Sequence, residues 1–183
     1  MKTKDIVLIA LFTALIIALG LVPPIPMPLV PVPLTLQTFG VMLAGLILGP
    51  TRAGLVLLLY VMIALLGLPV LPGGRAGLAV LAGPTAGFLL GMIPGAVLTG
   101  WLAGKASTSP QTTVLRDTLR CTIAAVCGGI LVVYGLGVPW LAFVANMTFA
   151  KASWAVLVFL PGDLLKAVVA AAVAQRIRRV GII

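Results

Sequence analysis

The chain has 183 residues, 62% of them hydrophobic and 8% charged, with a mean hydropathy of +1.29, well outside the range of a soluble globular domain. Lipid must surround most of it, and at about 20 apolar residues per crossing there is room for roughly six spans and little else. The net charge of +9 comes from basic residues scattered singly between apolar stretches, not from the stripe that nucleic-acid binding uses; with no histidine and three carboxylates, zinc or iron centres and Ser-His-Asp or Cys-His devices are excluded as well.

Cut at proline, glycine and charge, the apolar runs predict an all-α, six-helix membrane bundle forming one domain over residues 1–183, with spans near 6–22, 35–49, 53–68, 85–104, 119–137 and 161–178. The first run follows Lys2 and Lys4 as a signal peptide would, but it is long for one, and Pro23-Pro24-Ile25-Pro26 is a poor cleavage site, so it is read as a permanent span. Residues 23–33 then hold six prolines and no charge, which predicts a stiff extended connection able to roof a pocket at low entropic cost. The second and third spans are short and should be tilted or buried in protein. The next connection, residues 67–84, is apolar and rich in Gly and Pro around Arg75, as expected of a loop packed over the bundle.

In the fourth span, Gly100-Trp101-Leu102-Ala103-Gly104-Lys105-Ala106 resembles a phosphate loop only faintly. It has one residue too few between the glycines and no hydroxyl after the lysine. Cys121 and Cys127 in the fifth span stand about 240° apart on a helix and cannot pair locally, so both read as small buried residues. Residues 137–160 carry Trp140, Phe143, Phe149, Trp154 and Phe159 around Lys151; membrane-interface aromatics and a short interfacial helix are expected there, with ligand stacking as the other reading.

Six spans put Lys2, Lys4, Arg52, Lys105, Arg116, Arg120, Arg176, Arg178 and Arg179 on one side and only Arg75 and Lys151 on the other. Both termini are therefore expected in the cytoplasm. Within the spans the ionisable residues that stand out are Asp163 and Lys166, in Pro161-Gly162-Asp163-Leu164-Leu165-Lys166. Each costs a few kcal/mol to insert, and a spacing of three puts both on one helix face. Pro161 suits a first helical position and Asp163 a first turn, roughly 20 Å from the cytoplasmic end at 1.5 Å per residue. Thr35, Gln37, Arg75 and Thr85 come from the outer ends of other spans and are expected to converge on the same layer; the alternatives are an ion pair that only anchors its helix, and caps. Small residues recur every fourth position at Ala10/Ala14/Ala18, Gly45/Gly49, Gly91/Gly95 and Gly100/Gly104, as close helix packing requires.

Four separated segments, Pro33-Leu34-Thr35-Leu36-Gln37-Thr38, Gly67-Leu68-Pro69-Val70 with Gly73-Gly74-Arg75, Gly83-Pro84-Thr85-Ala86-Gly87-Phe88, and Pro161 to Lys166, resemble the BioY family, the biotin-specific substrate-binding components of energy-coupling-factor (ECF) transporters. The resemblance runs through nearly the whole chain in order. It implies a six-helix, multi-pass protein of a bacterial or archaeal plasma membrane that is not an enzyme, carries no cofactor and binds biotin tightly from outside. It also implies a transmembrane coupling protein and a pair of cytoplasmic ABC-type ATPases as partners, with ATP used by those partners.

The family's substrate-binding Asp and Lys fall on Asp163 and Lys166, its polar loop position falls on Arg75, and its partner-docking small-residue face falls on Ala10 and Ala14. Where the family often has Gly-Gly-Tyr, this chain has Ala86-Gly87-Phe88, so Phe88 offers a wall without a hydroxyl. Biotin's ureido N–H groups suit a buried carboxylate such as Asp163, and its own carboxylate suits either Lys166 or Arg75. The competing expectation is an autonomous ion-gradient-driven carrier of a small carboxylated solute, with Asp163 as the proton or cation site.

Overall fold

The computed structural model describes residues 2–27, 30–106 and 114–180. Helix α1 spans Thr3–Leu21 and leads into a two-stranded antiparallel hairpin, β1 (Ile25–Met27) and β2 (Val30–Leu34), with Ile25 opposite Leu34 and Met27 opposite Val30. Prolines are tolerated here because each strand of a two-stranded sheet has a free edge. The expected stiff connection is thus extended, and alternation turns Val30 and Val32 inward while Pro31 stays exposed.

Helices α2 (Gln37–Leu48) and α3 (Pro50–Leu65) meet at Gly49. That glycine has φ +79° and ψ 177°, an extended positive-φ conformation that essentially only glycine adopts, and Pro50 opens the next helix. At 12 residues α2 is too short to span alone, yet ten of those residues are buried, the protein-enclosed outcome expected for it. A loop with 3-10 turns at Pro72–Gly74 and Leu78–Ala82 leads to α4 (Ala86–Ala106), which packs on α2, α3 and the following rod.

The fifth span differs most from expectation. Helix α5 (Val114–Val126), a π-helical turn (Cys127–Val132) and α6 (Val133–Val144) form one apolar rod over Leu115–Val144, longer at both ends than the predicted 119–137. The short helix expected in the third connection is α7 (Phe149–Val156), joined by a 3-10 turn (Leu157–Phe159) to α8 (Leu160–Val180). Pro161 is therefore the second residue of α8, not the first. Four helical stretches are long and apolar enough to cross a membrane, with α2 and α3 as shorter apolar helices. Of the cysteines, both free, Cys121 is buried as expected but Cys127 is only half-buried.

One end of the bundle is tied by charge. Arg52 Nη2 meets Asp5 Oδ1 at 2.7 Å, joining the starts of α1 and α3, and Arg178 donates to the Leu46 carbonyl, joining the ends of α8 and α2. The first and last described residues thus lie at the same end. The other end carries the hairpin, the 66–85 loop and α7.

Glycines set the packing between α4 and the fifth rod. A Cβ on Gly128 would stand 2.1 Å from Thr99 Oγ1 and 2.3 Å from the Gly95 carbonyl oxygen, so the two backbones approach at a distance only glycine permits. The π turn lies at this contact; its i→i+5 bonding takes up an extra residue and rephases the helix beyond it, where Tyr134 follows. Gly128→Ala is predicted to lower stability by about 3 kcal/mol or more, while Gly135→Ala, which has open space around its Cβ, should change it by less than about 1 kcal/mol. Thermal unfolding in detergent checks this, and equal melting points for the two variants would refute the packing argument.

Candidate functional site

The hairpin end of the bundle is hollow. A cavity of about 660 Å³, counted to its open mouth, lies between β2, the 66–85 loop, α4, α6 and α8. Its walls are mainly apolar: Val32 and Leu34 from β2, Leu71 and Val80 from the loop, Leu89 and Met92 from α4, Val133 from α6, and Phe159 before α8. Thr35, Gln37, Arg75, Thr85, Phe88, Asp163 and Lys166, gathered from four separate chain regions, all line it.

The closed end is built around the carboxylate of Asp163, a residue only 3% exposed. Lys166 Nζ donates to Oδ1 at 2.7 Å, Thr38 Oγ1 donates to the same oxygen at 3.0 Å, and the Tyr134 hydroxyl donates to Oδ2 at 2.7 Å. An ionised carboxylate has about four acceptor sites, so one place on Oδ2 remains open. The ammonium of Lys166 also donates to the Thr35 carbonyl at 2.6 Å and to Thr38 Oγ1 at 3.2 Å, which uses all three of its protons. The first-turn position predicted for Asp163 matters less than these partners, because a 3-10 turn continues helical backbone ahead of α8.

The chain places these groups for local reasons. Residues 35–36 leave the strand before α2 begins, so Thr35 keeps a carbonyl free of both sheet and helix. Gln37 and Thr38 open α2 about 100° apart; Thr38 faces α8, while Gln37 Nε2 donates to the Tyr60 hydroxyl on α3. Tyr134 stands edge-on to Phe88, ring centroids 6.1 Å apart and planes at 81°, in the T-shaped geometry aromatic pairs favour. A Cβ on Gly137 would strike the Phe88 ring at 2.2 Å, so that glycine makes room for the wall.

At the rim the Arg75 guanidinium is exposed. Its Nε donates to the Pro72 carbonyl at 3.2 Å and its Nη1 to Thr85 Oγ1 at 3.1 Å, leaving Nη2 free to meet an anion. Trp140 Nε1 donates to the Gly83 carbonyl at 3.0 Å and anchors the end of this loop on α6. The other aromatics of the third connection divide: Phe143, Phe149 and Trp154 are exposed, as interface residues would be, whereas Phe159 is buried against the cavity. Ala10 and Ala14 lie far from the cavity, exposed on the face of α1 turned away from the bundle.

Sequence reasoning missed Thr38, Tyr134 and Tyr60. The available signal was that the chain's two tyrosines both fall in apolar spans, where a buried hydroxyl needs a partner.

Chemically, the cavity offers an acceptor-bearing closed end, an apolar barrel and a cationic rim. Among the described residues no group of side chains could hold a metal ion.

Comparison with known proteins agrees with this geometry. The pattern of the BioY family matches residues 1–182. The chain is 48% identical to the biotin transporter BioY of Rhizobium etli over 93% of this chain and 91% of that one, and 44% identical to the biotin transporter BioY of Rhodobacter capsulatus over 95% and 93%. A crystal structure of the S-component for biotin from an ECF-type ABC transporter superposes with a TM-score of 0.89 at 33% identity, covering 98% of this chain and 95% of that one. With its cavity, its apolar spans and these relatives alike in fold and sequence, the chain is a multi-pass membrane protein that belongs to the BioY family.

Proposed function

We propose that residues 1–183 act as a single membrane domain, the biotin-binding subunit of an ECF-type importer. It captures biotin at the outer face and works with a coupling protein and two cytoplasmic ATPases. The observation that carries this reading is the polarity of the cavity: a buried carboxylate with one open acceptor place at the closed end, an apolar barrel, and an exposed arginine at the rim. Biotin has the matching sequence of parts, a ureido group, a thiophane ring with an alkyl chain, and a carboxylate. The names of the relatives and of the solved neighbour support the same ligand and the same transporter class.

The ligand's orientation follows from donor counting. Lys166 has no proton to spare, so the biotin carboxylate goes to Arg75 and the ureido group to Asp163. The side of entry rests on charge: Lys2, Lys4, Arg52 and Arg176 to Arg179 cluster at the end opposite the cavity, which the positive-inside rule puts in the cytoplasm. The exposed alanine face of α1, with Ala10 and Ala14, is assigned to the coupling protein. A gradient-driven carrier has less support, since Lys166 already occupies the place beside Asp163 that a transported cation would need.

Calorimetric titration of the detergent-purified chain tests the assignment. The parent should bind biotin tightly, and Asp163→Asn should weaken it about 10- to 100-fold, the worth of a hydrogen bond to a charged group; a folded parent that does not bind biotin sinks the proposal. Arg75→Ala should weaken biotin about tenfold but leave biotinamide, which lacks the carboxylate, within twofold; equal losses for both ligands would remove Arg75 from the carboxylate.

Stability should respond separately from binding. Lys166→Met strands the Asp163 charge and is predicted to cost about 3–5 kcal/mol, whereas the double variant Asp163→Leu/Lys166→Met should recover at least half of that. Thermal unfolding without ligand reads this out, and a double variant no more stable than the single one would show that the pair is not the stabilising unit.

A further inference from the structure

Gln37 is polar, 4% exposed and among the residues that line the cavity, and one end of its amide is bonded to the Tyr60 hydroxyl. An amide can face a ligand with its carbonyl or with its NH2, and the two choices select opposite ligand chemistry. The surroundings decide which one this protein presents.

The Tyr60 hydroxyl, on a fully buried side chain, lies 3.2 Å from the carbonyl oxygen of Val70. A backbone carbonyl has no proton to give, so the single hydroxyl proton of Tyr60 goes to Val70, and the Tyr60 oxygen can then only accept. What Gln37 turns toward it must be the donor end, Nε2. Gly20 of α1 leaves the space for this relay, since a Cβ there would come 2.9 Å from the Val70 carbonyl oxygen and 3.3 Å from the Tyr60 hydroxyl. Among the described residues the one buried side-chain nitrogen or oxygen without a partner is Asp117 Oδ1. Gln37 Oε1 makes no hydrogen bond within the protein and is not sealed in, so it opens on the cavity that Gln37 lines.

We propose that Tyr60 is a positioning residue that fixes the Gln37 amide with its carbonyl oxygen toward the cavity, so that Gln37 and Asp163 together form a two-acceptor reader for a ligand with two N–H donors. The inference rests on the biotin reading above and adds to it the residue that sets the polarity of recognition. Tyr60 never touches the ligand. Without its hydroxyl the amide turns over freely, and the cavity loses its preference for a donor at that point.

The test uses biotin and its two mono-N-methylated ureido derivatives, titrated into the parent, Tyr60→Phe and Gln37→Leu. The parent should bind biotin at least tenfold better than either derivative. Tyr60→Phe should bind biotin about tenfold more weakly, the size of one buried hydrogen bond, and its preference over one derivative should shrink by a similar factor. Gln37→Leu removes the acceptor directly with the Tyr60–Val70 bond intact, and should show the same two changes even if Tyr60→Phe folds poorly.

A Tyr60→Phe chain that loses affinity for all three ligands equally overturns the positioning role, as does a Gln37→Leu chain with biotin affinity and preference unchanged. If the parent binds none of the three, the biotin reading itself fails and the inference falls with it. A parent that binds biotin while the variants keep its preference leaves that reading standing and removes only this inference.

Discussion

The contact between Asp163 and Lys166 constrains everything else in the hollow half of this protein. Two opposite charges held 2.7 Å apart with little water are tolerable only when their remaining donors and acceptors are met, because the desolvation of each costs several kcal/mol. Those needs are met from far along the chain: Thr35 before α2, Thr38 in its first turn, and Tyr134 on α6. The pair thereby draws α2, α6 and α8 together around one point and fixes the end of the proline hairpin. The same contact leaves one carboxylate acceptor place unused, and that place is what the cavity has to offer a ligand.

The two ends of the bundle solve different problems. Away from the cavity the helices close to glycine distance, with Gly45 against Thr99, Gly95 against Gly128 and Gly100 against Gly49 and Pro50, and the basic residues gather at that end. Toward the hairpin α4 and α6 stay close, with Gly87 against Leu136 and Trp140 and Gly91 against Val133, and the room for a small molecule lies beside them, walled by Phe88, Met92, Tyr134 and Phe159. The π turn lies where Gly95 and Gly128 meet, and beyond it Val133 and Tyr134 reach the cavity. A closely packed base under an open chamber suits a subunit that captures a solute.

Much of this was legible in the residues because membrane chemistry is unforgiving. Six apolar runs, a proline-rich extended connection and an intramembrane Asp–Lys pair each have few physical readings, and Thr35, Gln37, Arg75, Thr85, Phe88, Asp163 and Lys166 meet in one cavity. What escaped was whatever carries no pattern in one dimension. A hydroxyl such as that of Thr38 or Tyr134 looks like any other residue in an apolar run until its partner on another helix is known. The rod over Leu115–Val144 was cut short because Arg116 and Gly137 read as boundaries, although Arg116 lies within the first turn of α5 and Gly137 is a contact with Phe88. Burial of α2 was inferable from its length; the direction of the Gln37 amide was not, since a backbone carbonyl on the 66–85 loop sets it.

A crystal structure of the protein with biotin bound is the most direct test of the account. It should place the ureido ring within hydrogen-bonding distance of Asp163 Oδ2 and Gln37 Oε1, the alkyl chain along Phe88 and Phe159, and the carboxylate at Arg75, with the Asp163–Lys166 contact unbroken. Biotin lying the other way round with its carboxylate on Lys166, or bound outside the cavity, would contradict it.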